Sequence, residues 1–181
     1  MYIDYFDSPL GLIEFTSTEE GIAHVIFCGE QIEMKKPNKI TDLCKQQLTE
    51  YFCGERKMFD LPLDPKGTEF QKNVWRCLSM IPFGETVSYL DIAKMVNQPK
   101  GSQAVGGANG RNPISIIVPC HRVVGSNGSL TGYAGGIERK LWLLNHEGIE
   151  LKQSKENDKI ELALKLKKVI YTRQSKTQFL N

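Results

Sequence analysis

The sequence has no Cys-x-x-Cys pair, no apolar run approaching the ~20 residues that span a membrane, and almost no net charge, +2 from 23 basic and 21 acidic residues. The missing spans exclude an integral helical membrane protein. Five cysteines, at 28, 44, 53, 77 and 120, are odd in number and widely spaced. That pattern argues against a disulfide framework and for reduced thiols. Histidine is scarce too, with three in the chain. His24 and Cys28 could form half of a metal site, but no second pair has suitable spacing for four ligands, so core packing is the expected role and no metal is predicted. Met1 to Asp7 lacks the basic start of a secretory signal, so a cytoplasmic protein is expected.

What is present is a globular composition, 40% hydrophobic and 24% charged over 181 residues, enough for one good core or two small ones. The charges are sorted along the chain. Residues 1 to 67 carry 7 Lys and Arg against 12 Asp and Glu, residues 68 to 150 carry 8 against 6, and residues 151 to 181 carry 8 against 3. A basic end is compatible with a polyanionic partner, although charge runs are more often solvated faces.

The pattern divides the chain into an α+β unit over 1–66, a mainly helical unit over 67–150 and a basic helical tail over 151–181. Leu12 to Thr16 and Gly21 to Phe27 are β-branched and aromatic runs with a hairpin signal, Ser8-Pro9-Leu10-Gly11, before them. Thr41 is expected to cap a helix that lines up Cys44, Leu48, Tyr51 and Phe52 and stops at Gly54. Leu61 to Gly67, with two prolines and a glycine, reads as the linker. Thr68 with Gln71, and Ser88 with Asp91, have capping-box spacing. The first opens a helix with Phe70, Val74, Cys77, Leu78 and Ile81 on one face, the second a helix with Tyr89, Ile92, Ala93 and Val96 on one face.

A further short helix, Ser102 to Asn109, follows Pro99-Lys100-Gly101, and two short helices around such a turn have the form of a helix-turn-helix. The second is rich in Ala104, Gly106, Gly107 and Ala108, which costs helix stability, roughly 1 kcal/mol per glycine, and suits a close approach of its backbone to a ligand. Ser126-Asn127-Gly128 reads as a turn, Gly132 to Gly136 as a glycine-rich loop, and Ile137 to His146 as a helix with Ile137, Leu141 and Leu144 on its core face and Gly148 as its stop. Glu147 is out of place, a carboxylate at the negative end of a helix, and is either solvated or partnered. In the tail, Asn157 or Asp158 is expected to cap a helix through Ile160, Leu164, Lys167 and Ile170.

The chemistry concentrates at Cys120. Ile114 to Val118 is a short apolar run expected to form a buried strand, ended by Pro119, which would hold Cys120 at its mouth. His121 and Arg122 are candidates to lower the thiol pKa. Neighbours on an extended chain point apart, so a sharp turn or an intervening water is needed to join thiol to imidazole. A small buried hydrophobe is an equally good reading of Cys120 from these residues alone.

Pro119-Cys120-His121-Arg122-Val123, with Asn112-Pro113 upstream and Gly132-Tyr133-Ala134-Gly135-Gly136 and His146-Glu147-Gly148 downstream, resembles the signature of the O6-alkylguanine-DNA alkyltransferases over Thr68 to Gly148. The resemblance implies a ribonuclease H-like N-terminal unit, a winged helix-turn-helix-like DNA-binding unit, and single-turnover repair. In such repair O6-alkylguanine, and O4-alkylthymine as well, is flipped out of double-stranded DNA and its alkyl group passes irreversibly to Cys120. It implies a Glu147, His121, water and Cys120 relay, no cofactor, and a monomer.

By the same resemblance Tyr89 crowds the phosphate and protonates the leaving base, Asn112 ties the second helix to the cysteine loop, and Val118, Val123, Tyr133 and Ala134 wall the base pocket. Gln71, Gln98, Gln103, Ala104, Gly107, Ala108 and Ser126 are then the other DNA contacts. Gln103 departs from the pattern, since the family generally places an arginine there. Two other classes stay open: a DNA-binding sensor without chemistry, which would lack the cysteine, and a cysteine hydrolase, whose cysteine and histidine ordinarily come from distant parts of the chain.

Overall fold

Alternating side chains along the first 28 residues fold them into three antiparallel strands, β1 (Tyr2–Ser8), β2 (Gly11–Ser17) and β3 (Ile22–Cys28), in spatial order β1-β2-β3. The computed structural model describes residues 1–150, so the helix expected in the tail lies outside the described residues. The hairpin expected at Ser8 to Gly11 forms, with Ser8 opposite Gly11. Its first strand, β1, is not singled out by the sequence reading, because Tyr2 to Ser8 mixes aromatic and acidic residues. Even Asp4 is buried there, offset by Lys45 Nζ at 3.1 Å. Ile13, Phe15, Ile22 and Val25 turn inward and are fully buried under α1 (Lys39–Phe52).

Helix α1 starts three residues earlier than expected. Asn38, not Thr41, is its N-cap: Asn38 Oδ1 accepts from the Thr41 N–H while Thr41 Oγ1 accepts from the Asn38 N–H, so both satisfy orphan amides. Cys44, Leu48, Tyr51 and Phe52 share its buried face, and Gly54 leaves it at φ +81°.

Both capping boxes read from the sequence form. Thr68 with Gln71 opens α2 (Glu69–Ser79), and Ser88 with Asp91 opens α3 (Tyr89–Met95). On α2 Val74 and Leu78 are core residues, as is Trp75, while Cys77 is only partly covered. Helix α4 (Ser102–Gly110) packs on both α2 and α3. The turn between α3 and α4 contains Asn97 at φ +58°, a conformation asparagine tolerates better than most residues, so the helix-turn-helix exists as a packed unit. Beside it β4 (Val87–Ser88) pairs in parallel with β5 (Val123–Val124). The last described helix, α5 (Ile137–His146), buries five consecutive residues, Lys140 to Leu144, whereas Ile137, expected in the core, is 37% exposed on the first turn.

The strand expected over Ile114 to Val118 does not form. Only Ile114 pairs, through a bridge in which Val25 N–H donates to Pro113 O at 2.9 Å and Ser115 N–H donates to Val25 O at 3.0 Å. The chain then coils. Ile116 takes φ +72° inside a γ-turn closed by Ile117 N–H to Ser115 O, and Pro119 sits in an inverse γ-turn closed by Cys120 N–H to Val118 O. The run is apolar because it is buried, and burial alone does not distinguish a strand from a coiled turn.

Candidate active site

Asn112 holds this coil in shape. Its Oδ1 accepts from Ile114 N–H, and its Nδ2 donates to Ile114 O at 3.3 Å and to Val118 O at 2.8 Å. After Pro119 the chain makes a single 3₁₀ turn, Cys120–Arg122. The chain therefore turns between Cys120 and His121, and both residues are buried, Cys120 at 3% exposure and His121 at 0%.

His121 Nε2 lies 2.8 Å from Glu147 Oε1. A carboxylate there accepts, so the imidazole carries its proton on Nε2 and leaves Nδ1 as a basic lone pair. Nδ1 is buried and has no hydrogen-bond partner among the described residues. Burial pushes the imidazole below its ordinary pKa of 6.5, with Glu147 opposing, so His121 is neutral at pH 7. Burial likewise raises the Cys120 thiol above its ordinary value of 9.0, with Asn112 and Lys140 pulling the other way. The resting pair is therefore thiol and neutral imidazole.

Glu147 is neither solvated nor unpartnered. Oε1 accepts from Tyr51 Oη at 2.7 Å and Arg122 Nη2 at 2.9 Å as well as from His121, and Oε2 accepts from Arg122 Nε at 2.7 Å. Burial by itself would raise this carboxyl, but the hydrogen bonds from His121 and Arg122 outweigh it and bring it from 4.5 to about 2. Arg122, expected beside the thiol, is thus turned toward Glu147 and toward Ile81 O at 2.6 Å.

A cleft of about 570 Å³ lies between the helix-turn-helix and the glycine-rich loop, lined among others by Tyr89, Gln103, Gly106, Asn109, Tyr133 and Ala134. Tyr89 Oη donates to Thr131 O at 3.1 Å, bridging from α3 to that loop. Cys120 lies behind the lining: Asn109 Nδ2 donates to Cys120 O at 3.4 Å, and the buried Tyr133 hydroxyl is pushed up in pKa first by burial and then by the Cys120 sulfur. Val118 and Val123, expected in this wall, are not among the residues that line the cleft. Val118 faces a different cleft with Leu63 and Trp75, and Val123 is enclosed in the β4-β5 pair.

A second cleft of about 480 Å³ adjoins the first across Gln103, and Gln71, Ala104, Gly107, Ala108 and Arg111 help line it. Gln71 Oε1 accepts from Thr68 N–H, and Ala108 is all but buried, its carbonyl accepting from the Trp75 indole at 2.9 Å. Gln98 and Ser126 are exposed in turns outside both clefts.

Four residues of this region escape the sequence reading: Tyr51, Asn109, Lys140 and the role of Arg122. Lys140 is fully buried, with Nζ donating to Val123 O at 2.6 Å and Thr131 O at 3.0 Å, and burial lowers it from 10.5 to about 8 against the pull of Cys120. Its one sequence signal is its place directly before the apolar run Leu141 to Leu144. Among the described residues no group of three or more His, Cys, Asp or Glu could hold a metal ion. His24, expected in the core, is exposed beside Thr16, and Cys28 is half-buried against Leu12 O.

Residues 69–149 match the model of the 6-O-methylguanine DNA methyltransferase DNA-binding domain, and residues 1–65 match that of its ribonuclease-like domain. The chain belongs to this methyltransferase family. It is 49% identical over 154 residues to a methylated-DNA–protein-cysteine methyltransferase of Methanosarcina acetivorans, covering 82% of this chain and 99% of the relative. The constitutive enzyme of that name from Bacillus subtilis is 46% identical over 162 residues, covering 84% and 98%. Among solved structures, Mycobacterium tuberculosis OGT in complex with DNA is similar with a TM-score of 0.75 at 42% identity, covering 81% of this chain and 92% of that one.

Proposed function

We propose that this methyltransferase repairs double-stranded DNA by extruding O6-alkylguanine into the Tyr89–Tyr133 cleft and transferring the alkyl group to Cys120, once per molecule. The observation that carries the reading is a buried Cys120 followed in one 3₁₀ turn by His121, whose imidazole is hydrogen-bonded to Glu147, beside a base-sized cleft and a helix-turn-helix. O6 of a stacked guanine is out of reach of such a buried thiol, so the nucleotide must leave the stack.

Entry of the base breaks the Tyr89–Thr131 hydrogen bond and frees the Tyr89 hydroxyl toward the ring. The Cys120 proton passes to His121 Nδ1 through a water, and the imidazolium is stabilised by Glu147. The sulfur then forms a bond to the alkyl carbon as the carbon–O6 bond breaks, with the bonding pair leaving on the guanine, which takes the Tyr89 hydroxyl proton. The proton held on His121 returns through water to restore Tyr89 and leave the imidazole neutral. The products are a thioether on Cys120 and unmodified guanine. A thioether has no proton to lose and no leaving group of comparable reactivity, so the molecule is spent.

Gln103 stands on the ridge between the two clefts, where a planar amide can enter the vacated stack. The reading takes residues 1–66 as the supporting unit and 67–150 as the reacting unit, in a cytoplasmic protein. No helix among the described residues is long and apolar enough to cross a membrane. Replacing Cys120 with Ala tests the assignment: alkyl transfer is expected to vanish while duplex binding persists, and transfer surviving in Cys120→Ala would overturn it.

A further inference from the structure

A buried tyrosine carries a cost that a phenylalanine does not, because its hydroxyl must be desolvated and then find a partner. Tyr51, near the end of α1, is fully buried among rings: Phe52 and Phe59 at 5.3 Å, His146 at 5.0 Å and Phe83 at 6.4 Å between centroids. Phenylalanine would fill that space equally well. The hydroxyl is instead used on Glu147 Oε1, at 2.7 Å and 96 residues away in the chain. Burial raises the phenol well above 10.0, with Glu147 adding to the rise, so Tyr51 stays a donor at every physiological pH.

Oε1 thereby takes three donors, Tyr51 Oη, His121 Nε2 and Arg122 Nη2, while Oε2 takes Arg122 Nε. Hydrogen bonds that share one acceptor oxygen compete for its charge. Each donor added to Oε1 weakens its pull on the His121 Nε2–H, and each also narrows the directions the carboxylate can face. The same N-terminal unit grips the reactive segment at a second place, where Val25 of β3 bridges Ile114.

We propose that Tyr51 is a positioning residue for alkyl transfer, by which the N-terminal unit fixes Glu147 and sets the strength of His121 as a base. The proposal rests on the alkyl-transfer reading only for its consequence on rate. The charged and titratable groups around His121 are Glu147, Arg122, Lys140 and Cys120, and those around the Tyr51 hydroxyl are Glu147, Arg122 and Tyr133, with His146 against its ring. Of these, only Glu147 is hydrogen-bonded to both residues. Removing the Tyr51 hydroxyl leaves more of the Oε1 charge for His121, which favours the imidazolium and moves its titration upward.

The test is the titration of His121 by nitrogen-15 NMR in full-length Tyr51→Phe, without DNA, beside single-turnover transfer rates across pH. The His121 midpoint is expected to rise by about 0.5 pH unit, roughly a threefold change in its protonation equilibrium. Because Glu147 loses the tether that fixes its direction toward His121, and that loss outweighs the stronger base, transfer at pH 7 is expected to fall severalfold, with duplex affinity unchanged and with no further loss when Tyr51→Phe is added to Glu147→Gln. A fluorinated tyrosine placed at position 51 is a stronger donor with the same packing and is expected to move the midpoint downward.

A folded Tyr51→Phe with an unmoved midpoint, or a rate loss equal with and without the Glu147 carboxylate, would overturn the proposal. If Tyr51→Phe does not fold, the fluorotyrosine protein decides alone, and an unmoved midpoint there has the same force. Because the titration needs no substrate, a failure of the unmodified protein to accept an alkyl group would sink the function and leave this measurement standing.

Discussion

Arg122 holds Glu147 by two hydrogen bonds, Nε to Oε2 at 2.7 Å and Nη2 to Oε1 at 2.9 Å, with Glu147 4% and Arg122 6% exposed. A fork of this kind fixes a carboxylate in plane, which a lysine cannot do. It also prevents Glu147 from being a stranded buried charge at the end of α5.

Arg122→Met is accordingly expected to destabilise the fold by roughly 3 to 5 kcal/mol, the cost of breaking a buried ion pair from one side. Urea denaturation measures it. A loss below about 1 kcal/mol would mean that the pair behaves as an exposed one.

Glu147→Gln tests the carboxylate itself. Glutamine keeps an oxygen for Tyr51 but loses the charge that stabilises imidazolium, so alkyl transfer is expected to slow by about 10²-fold, in the range of general-base effects, while duplex affinity changes little. Single-turnover rates and binding isotherms on the same oligonucleotide separate the two.

Acid should weaken the fold in two windows. His121 is held below 6.5 in the folded protein, so the unfolded chain binds its proton first and stability falls as pH drops below about 6.5. Glu147 is held at about 2 against 4.5, so its contribution, complete above about 4.5, is lost as pH falls from there toward 2. Urea midpoints measured from pH 8 to pH 3 are expected to decline in both windows, and in Glu147→Gln the lower decline is expected to shrink.

The helical framework was legible because its signals are local. Thr68 with Gln71 and Ser88 with Asp91 satisfy amides three residues away, and such pairs work whatever the rest of the chain does. The coil before Cys120 was not legible as a coil. Its shape depends on the Asn112 amide and on the bridge to Val25, and the second of these is set by a strand some ninety residues earlier in the chain. Cys120, His121 and Glu147 could be picked out by motif, and the misplaced look of Glu147 did signal partners, but Tyr51 and Lys140 gave only core-helix patterns. Val118 and Val123 were assigned to the pocket by resemblance, and Val118 lines a cleft with Leu63 and Trp75.

At Gln103, the ridge between the clefts, sequence and family differ. Glutamine lacks the charge that releases counterions, so Gln103→Arg is expected to tighten duplex binding and steepen its salt dependence by about one phosphate contact. Gln103→Ala is expected to slow repair of duplex far more than reaction with the free alkylated base. Equal rates on duplex for Gln103→Ala and the unmodified protein would show that another residue occupies the gap.

The most direct test of irreversible transfer to Cys120 is the intact mass of the protein after incubation with excess duplex carrying O6-methylguanine, followed by peptide mapping. One methyl group per chain, on the Cys120 peptide, with repaired guanine never exceeding one equivalent, is the predicted result; repair beyond one equivalent, or a methyl group on any other residue, would contradict it.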